Sequence, residues 1–300
     1  MTFQWGQRTY VMGIINVTPD SFSGDGVATV VADPPPREVV ARAVDQARQF
    51  LADGADILDV GGESTRPGSV PVSAEEELAR VLPVVRALRA ALPEATISVD
   101  TYRAAVAAAA LDSGADWIND VWGLRMDPHM AALAAARGCP VVIMHNRSKP
   151  KDVAQEQRLG GRYVGIRYTE LITDIARELA EQMAIAFAAG VREEQIILDP
   201  GIGFGKTVEQ NLELLDRLGE LKALGRPLLI GPSRKSFIGY TLDLPPEDRV
   251  EGTAAAVAIG IDRGADIVRV HDVRAIARVA RMTDRIVRRA APSQPGRAGS

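Results

Sequence analysis

The stretch GADILDV at residues 54–60 returns twice in altered form, as GADWINDV at 114–121 and GADIVRV at 264–270. Each copy follows an alanine-rich amphipathic stretch. A glycine at that point suits the C′ position of a helix, where φ must be positive, and the apolar residues after it suit a short buried strand. One unit of helix, tight turn and strand is therefore used three times.

Working outward, five more short apolar runs have strand character: VMGIIN (11–16), TISVD (96–100), PVVIM (140–144), QIILD (195–199) and RPLLIG (226–231). Helical patterns lie between them, near 37–52, 74–91, 102–112, 128–137, 167–189, 208–224, 252–263 and 274–289. Buried strands alternating with helices imply a parallel sheet. Eight such units in one chain predict the α/β class and a single closed (β/α)8 TIM barrel, with an open doubly wound sheet as the alternative. No linker interrupts the series, so one domain is expected over 1–290; the DPPP run at 33–36 opens a helix, and residues 291–300 have the composition of a disordered tail.

Composition narrows the function classes. A net charge of −4, with no basic run interleaved with aromatics, gives no electrostatic footprint for nucleic acid. No apolar run reaches the length of a membrane span, and the N-terminus lacks the form of a signal peptide, so a cytoplasmic protein with no membrane partner is expected. The one cysteine, Cys139, allows no intrachain disulfide and reads as a small core residue.

In this architecture chemistry sits at the C-terminal ends of the strands. In chain order those ends carry Asn16, Asp59 with Glu63 beyond it, Asp100, Asn119, His145, Asp199, Ser233 to Lys235, and Arg269 with His271. One or two polar ends would be ordinary; eight of eight favour a site. Asp59, Asn119 and Arg269 each stand five residues after the glycine of their repeat and should point the same way, with Ile57, Trp117 and Ile267 stacked below them. The long connections 17–36, 61–73 and 145–166 gather at the same end.

The stretch DPGIGFGKT at 199–207 ends like a phosphate-binding P-loop, but Pro200 stands where that loop needs its first glycine. Its GKT is therefore expected to be incidental, with Lys206 facing solvent or a loop carboxylate. His129, after Asp127 and Pro128 at a helix start, is expected to be exposed.

Taken together, MGIINVTPDSFS (12–23), DVGGESTRPG (59–68), SVDT (98–101), NDVWG (119–123), LDPGIGFGKT (198–207), GPSRKSFIG (231–239) and RVHDV (269–273) resemble the dihydropteroate synthase family. The matches run in family order over roughly nine-tenths of the chain. The resemblance implies a TIM-barrel transferase of folate synthesis. Such an enzyme joins (7,8-dihydropterin-6-yl)methyl diphosphate to p-aminobenzoate, giving 7,8-dihydropteroate and pyrophosphate. It further implies that Asp199, Asn119 and Lys235 hold the pterin ring, that Asp100 supports its other edge, and that Asp100, Asp199, Lys235 and Arg269 carry the catalysis. A carboxylate suits the ring N–H and exocyclic amino group of a pterin, which form a two-donor edge. Asn16, Arg269 and His271 are implied to bind the diphosphate, Asn16 directly or as a ligand of Mg²⁺. Around p-aminobenzoate the resemblance puts Ser236 at the carboxylate and Phe204 and Pro67 at the ring slot, with Thr65 and Arg66 closing over the reacting centre. A homodimer is also implied.

Two loops depart from the family pattern. The first reads SFSGDG at 21–26, with Asp25, where the family more often has SFSDGG; the second, MHNRSKPKD at 144–152, lacks the methionine and glycine expected after the histidine. Two alternatives share the pterin pocket: a barrel that binds methyltetrahydrofolate for corrinoid methyl transfer, and a catalytically silent paralogue. The first would not need the SRK and RVH anion sites.

Overall fold

Eight parallel strands stand around one axis in a computed structural model that describes residues 3–17, 37–64, 71–149, 152–164 and 166–288. In chain order the first half is β1 (Tyr10–Asn16), α1 (Arg37–Asp53), β2 (Ile57–Gly61), α2 (Ala74–Ala91), β3 (Thr96–Asp100), α3 (Ala104–Asp112), β4 (Trp117–Asp120), α4 (Met130–Arg137) and β5 (Val141–Met144). A short antiparallel hairpin, β6 (Val153–Ala154) with β7 (Arg162–Tyr163), lies in the next connection. Then follow α5 (Leu171–Ala188), β8 (Ile196–Asp199), α6 (Val208–Asp216), β9 (Leu229–Ile230), α7 (Ser236–Leu242), α8 (Val250–Asp262), β10 (Ile267–Val270) and α9 (Val273–Val287). The sheet order is β8-β5-β4-β3-β2-β1-β10-β9, and a bridge between Leu198 and Leu228 closes the ring. This is the barrel expected from the alternation of strands and helices.

The three repeats share one local structure. Gly54, Gly114 and Gly264 end their helices with φ of 107°, 110° and 99°. Each donates its N–H three residues back, and the alanine after it donates five residues back, which is a Schellman turn. The aspartate that follows then works on the neighbouring strand. Asp56, Asp116 and Asp266 donate their backbone N–H to the carbonyls of Val11, Ile97 and Leu228, and their carboxylates accept the N–H of the same three residues. So the third letter of GAD pins a strand start that the ladder would otherwise leave unpaired.

Alternation along the strands separates two cores. Inside the barrel Tyr10, Met12, Ile57, Trp117, Val142, Ile197, Leu229 and Ile267 pack together, with Phe3 and Trp5 against them. Phe3 lies 4.8 Å from the Trp117 ring and 4.8 Å from Tyr10, at aromatic packing distance. The other strand faces, including Leu58, Val60, Ile97, Val99, Ile143 and Val268, pack outward under the helices. Ile57, Trp117 and Ile267 thus form the stack expected from the repeat register. Cys139 is buried before β5, and His129 is exposed at the start of α4.

One expectation changes, and two connections carry elements the residue pattern did not show. The helical pattern at 208–224 breaks after Asp216 into a 3-10 helix over Leu218–Leu224, where Gly219 favours interruption and Arg217 gathers Glu170, Glu213 and Glu220. The SRKS stretch runs into a helix, α7, and the connection 145–166 contains the β6–β7 hairpin. The DPPP run, Asp25 and residues 291–300 lie outside the described residues.

Candidate active site

Strand register decides which polar ends meet. Side chains two apart on a strand share a side, and the inner apolar cluster marks the inside. Two residues above it come Asp59 on β2, Asn119 on β4, Asp199 on β8 and Arg269 on β10. In the register row above Asp59, Asn16 pairs with Gly61, Gly61 with Asp100 and Asp100 with Asn119. Gly61 contributes no side chain between Asn16 and Asp100, leaving room at the mouth.

Arg269 is the hub of this cluster. Its Nε donates to Asp59 Oδ2 and its Nη2 to Asp100 Oδ2, both at 2.6 Å, while Asn119 Nδ2 donates to the same Asp59 oxygen at 3.0 Å. Asp59 is fully buried, and its Oδ1 has no hydrogen-bond partner among the described residues. Charge-assisted bonds of this kind hold the cluster, and removal of the guanidinium would strand two buried carboxylates. Arg269, read from the sequence beside His271 as a diphosphate ligand, therefore also belongs to the carboxylate floor. A guanidinium has five donors, so these two bonds do not exhaust it.

Burial sets the proton affinities. It pushes the Asp100 carboxyl up to about 7, with Arg269 pulling down and Asp59 and Glu77 pushing further up. It pushes Asp199 up to about 6, against the Gly201 N–H, Lys235, Lys206 and Arg269. For Arg269 burial is outweighed by Asp59 and Asp100, which hold the guanidinium above its ordinary value. The floor is thus a set of buried acids balanced by cations.

Asp199 accepts the Gly201 N–H at 2.7 Å, an Asx-type turn that starts the next loop. That loop carries Phe204, buried with Val121 and Met144 and flanked by Tyr102 and Trp122. Lys235 Nζ stands 3.9 Å from the Phe204 ring centroid, and its stem occupies the space where a Cβ on Gly203 would be. Ser236 opens α7 beside it. On the β10 side, Ser233 Oγ accepts the His271 N–H at 3.1 Å and lies 3.0 Å from His271 Nδ1. Arg234, with φ of 56°, grips Asp272 and so ties the β9 and β10 ends together.

Two sequence readings are corrected. His145 falls on the outward register of β5 with Val141 and Ile143, so it faces α5, where its Nε2 meets Glu178 at 3.0 Å. It is not part of the inner cluster. Lys206 does not face solvent: it is buried, and Nζ contacts His145 Nδ1 and the carbonyls of Gly201 and Phe204. The threonine of GKT caps α6, in a capping box with Gln210. Thr65, Arg66 and Pro67 lie outside the described residues. Asp59, a strand-end residue to which the resemblance gave no role, proves central; its shared register with Asn119 and Arg269 was the signal.

The chain matches the pterin binding enzyme family over residues 12–271. It is 48% identical over 288 residues to a dihydropteroate synthase of Clostridium beijerinckii, covering 96% of this chain and 97% of that relative. Among solved structures, it is similar to the dihydropteroate synthase of Clostridium difficile determined in the presence of pteroic acid, with a TM-score of 0.85 and 45% identity over 96% of this chain and 100% of the other. It is also similar to that of Xanthomonas albilineans with 4-aminobenzoic acid, with a TM-score of 0.80 and 39% identity over 94% of each.

Proposed function

The chain belongs to the dihydropteroate synthase family of pterin-binding enzymes, and from that premise we propose how its residues share the work. It is a transferase of folate synthesis that condenses (7,8-dihydropterin-6-yl)methyl diphosphate with p-aminobenzoate to give 7,8-dihydropteroate and pyrophosphate.

The observation that carries the assignment of roles is the convergence of Asp59, Asp100, Asn119, Asp199 and Arg269 above one apolar plug. Asp199 accepts the two-donor edge of the pterin, Asn119 and Lys235 hold the ring, and Asp100 supports the opposite edge. In the reaction the methylene C–O bond breaks first and its electron pair leaves with the diphosphate. The positive charge that remains is spread over methylene and ring, where the buried carboxylates stabilise it. Arg269, His271 and Asn16 take the departing diphosphate. The arylamine nitrogen then forms the C–N bond and gives up its proton to solvent; being neutral near pH 7, it needs no strong base. Phe204 lines the arylamine slot with Ser236 near its carboxylate, and the roles of Thr65, Arg66 and Pro67 rest on the sequence of the second loop.

Among the described residues no three His, Cys, Asp or Glu side chains are arranged to hold a metal ion. Asn16 offers one amide oxygen, which fits Mg²⁺ arriving with the diphosphate and keeping phosphate and water ligands. The ion would neutralise charge on the leaving group.

Calorimetry tests the pocket: the dihydropterin diphosphate should bind the wild type and fail to bind Asp199→Ala. Undiminished binding to Asp199→Ala would refute the assignment. We further propose a homodimer in the cytoplasm. Exposed Ile259 on α8 and Met282 and Ile286 on α9, two helices that pack together, support the dimer, and no helix among the described residues is long and apolar enough to cross a membrane. Sedimentation at twice the chain mass is the expected result.

A further inference from the structure

The loop that carries Phe204 folds around its own lysine. Lys206 is 2% exposed, and its three donors have three partners: the carbonyl of Gly201 at 2.9 Å, the carbonyl of Phe204 at 3.1 Å and His145 Nδ1 at 3.0 Å. The Gly201 carbonyl also accepts the Phe204 N–H at 3.0 Å, so both ends of this short turn close on the ammonium. Gly201 has φ of 73°, and a Cβ there would stand 1.9 Å from the His145 carbonyl oxygen, so the turn is pressed directly against the end of β5. Tyr168 adds a bond from its hydroxyl to the Gly205 carbonyl at 2.9 Å.

His145 completes the device. An imidazole nitrogen that accepts from an ammonium carries no proton, so the ring proton is on Nε2 and is donated to Glu178 at 3.0 Å. Glu178 is in turn gripped by Arg147, which also lies over the Tyr168 ring. A chain of contacts thus runs from α5 through a neutral histidine and a lysine to the backbone on either side of Ile202, and ends at Phe204.

We propose that Lys206 is a positioning residue for p-aminobenzoate, holding the carbonyls of Gly201 and Phe204 against His145 so that the Phe204 ring stands at the edge of the arylamine slot. The proposal rests on the reading of Phe204 as the wall of that slot. Lys206 is not placed against substrate and acts through the loop.

The ammonium form is what the geometry needs, because a neutral amine has two N–H donors for three acceptors. Burial pushes Lys206 down to about 7, Arg147 and Lys235 push it the same way, and Asp199 and Glu178 oppose them. His145, neutral, and Tyr168, whose phenol burial holds well above its ordinary value, add no charge at neutral pH. Above about 7 the lysine loses its third donor, and the loop loses one of its three ties.

The test measures KM for p-aminobenzoate at saturating dihydropterin diphosphate, from pH 6 to 9, in the wild type, Lys206→Met and Phe204→Ala. The wild-type KM should rise with pH through the neutral range. Lys206→Met should raise it at least about tenfold, as misplacement of a binding wall does, and should flatten the pH profile. If Phe204→Ala raises the arylamine KM and Lys206→Met does not, the positioning role is overturned while the slot stands. If Phe204→Ala leaves it unchanged, the slot reading itself fails. Should Lys206→Met not fold, a wild-type KM that is flat with pH overturns the proposal without any variant.

Discussion

Asp199 shows how one side chain is prepared for its ligand. Burial holds its carboxyl at about 6, and the Gly201 N–H and three cations keep it from rising further. A pterin edge with two donors needs the carboxylate, so pterin affinity should weaken as pH falls below about 6, and Asp199→Asn should remove both affinity and this pH dependence; titration calorimetry across pH 5 to 8 reads both. Arg269 carries a different burden, because it neutralises Asp59 and Asp100 before any diphosphate arrives. Arg269→Lys keeps the charge but loses the fork, and kcat should fall roughly 10²- to 10³-fold, the range seen when one charge-stabilising donor is removed. Steady-state kinetics with circular dichroism as a folding control checks this. These residues were legible in the sequence because each ends a strand, and strand ends are where this architecture keeps its chemistry. Lys206 was misread because proximity to a failed P-loop pattern says nothing about burial, which depends on how the loop from 200 to 206 coils against the β5 end.

At the scale of elements the three GAD turns explain why strands begin where they do. Each glycine takes the left-handed turn, each alanine closes the Schellman bond, and each aspartate satisfies a strand N–H. Asp116→Ala should therefore destabilise the protein by about 1–3 kcal/mol, the cost of a buried donor left unpaired, with little change in KM for either substrate. Denaturant melts are the measurement. The helix ends and glycines could be read from residue pattern alone, because the constraint is local. The carboxylate bonds could not, since each joins residues 19 to 45 positions apart. The β6–β7 hairpin and α7 were missed for a similar reason: two-residue strands and a seven-residue helix carry too little periodicity to stand out from loop.

Over the whole molecule, the barrel divides into an inner plug that carries the site and an outer layer that carries the support. His145 lies in the support, neutral and buried, its proton affinity pushed down to about 3 by burial and by Lys206, against Glu178. The unfolded chain takes up that proton near pH 6.5 and the folded chain near 3, so the unfolded state binds more protons between them and stability falls as pH falls through that window. Asp100 and Asp199 act in the opposite sense, because folded carboxyls held at about 7 and about 6 keep protons that the unfolded chain releases. Comparing wild type with His145→Gln cancels their contribution, and the variant should lose less stability between pH 6.5 and 3 in urea melts. The central claim, however, concerns the floor of acids and the cations that face it, acting together on one bond. Its most direct test mixes purified protein, Mg²⁺, the dihydropterin diphosphate and p-aminobenzoate and follows pyrophosphate and 7,8-dihydropteroate together. The account predicts one pyrophosphate for each dihydropteroate, with both signals lost in Asp199→Ala; tight pterin binding by the wild type with no release of pyrophosphate would contradict it.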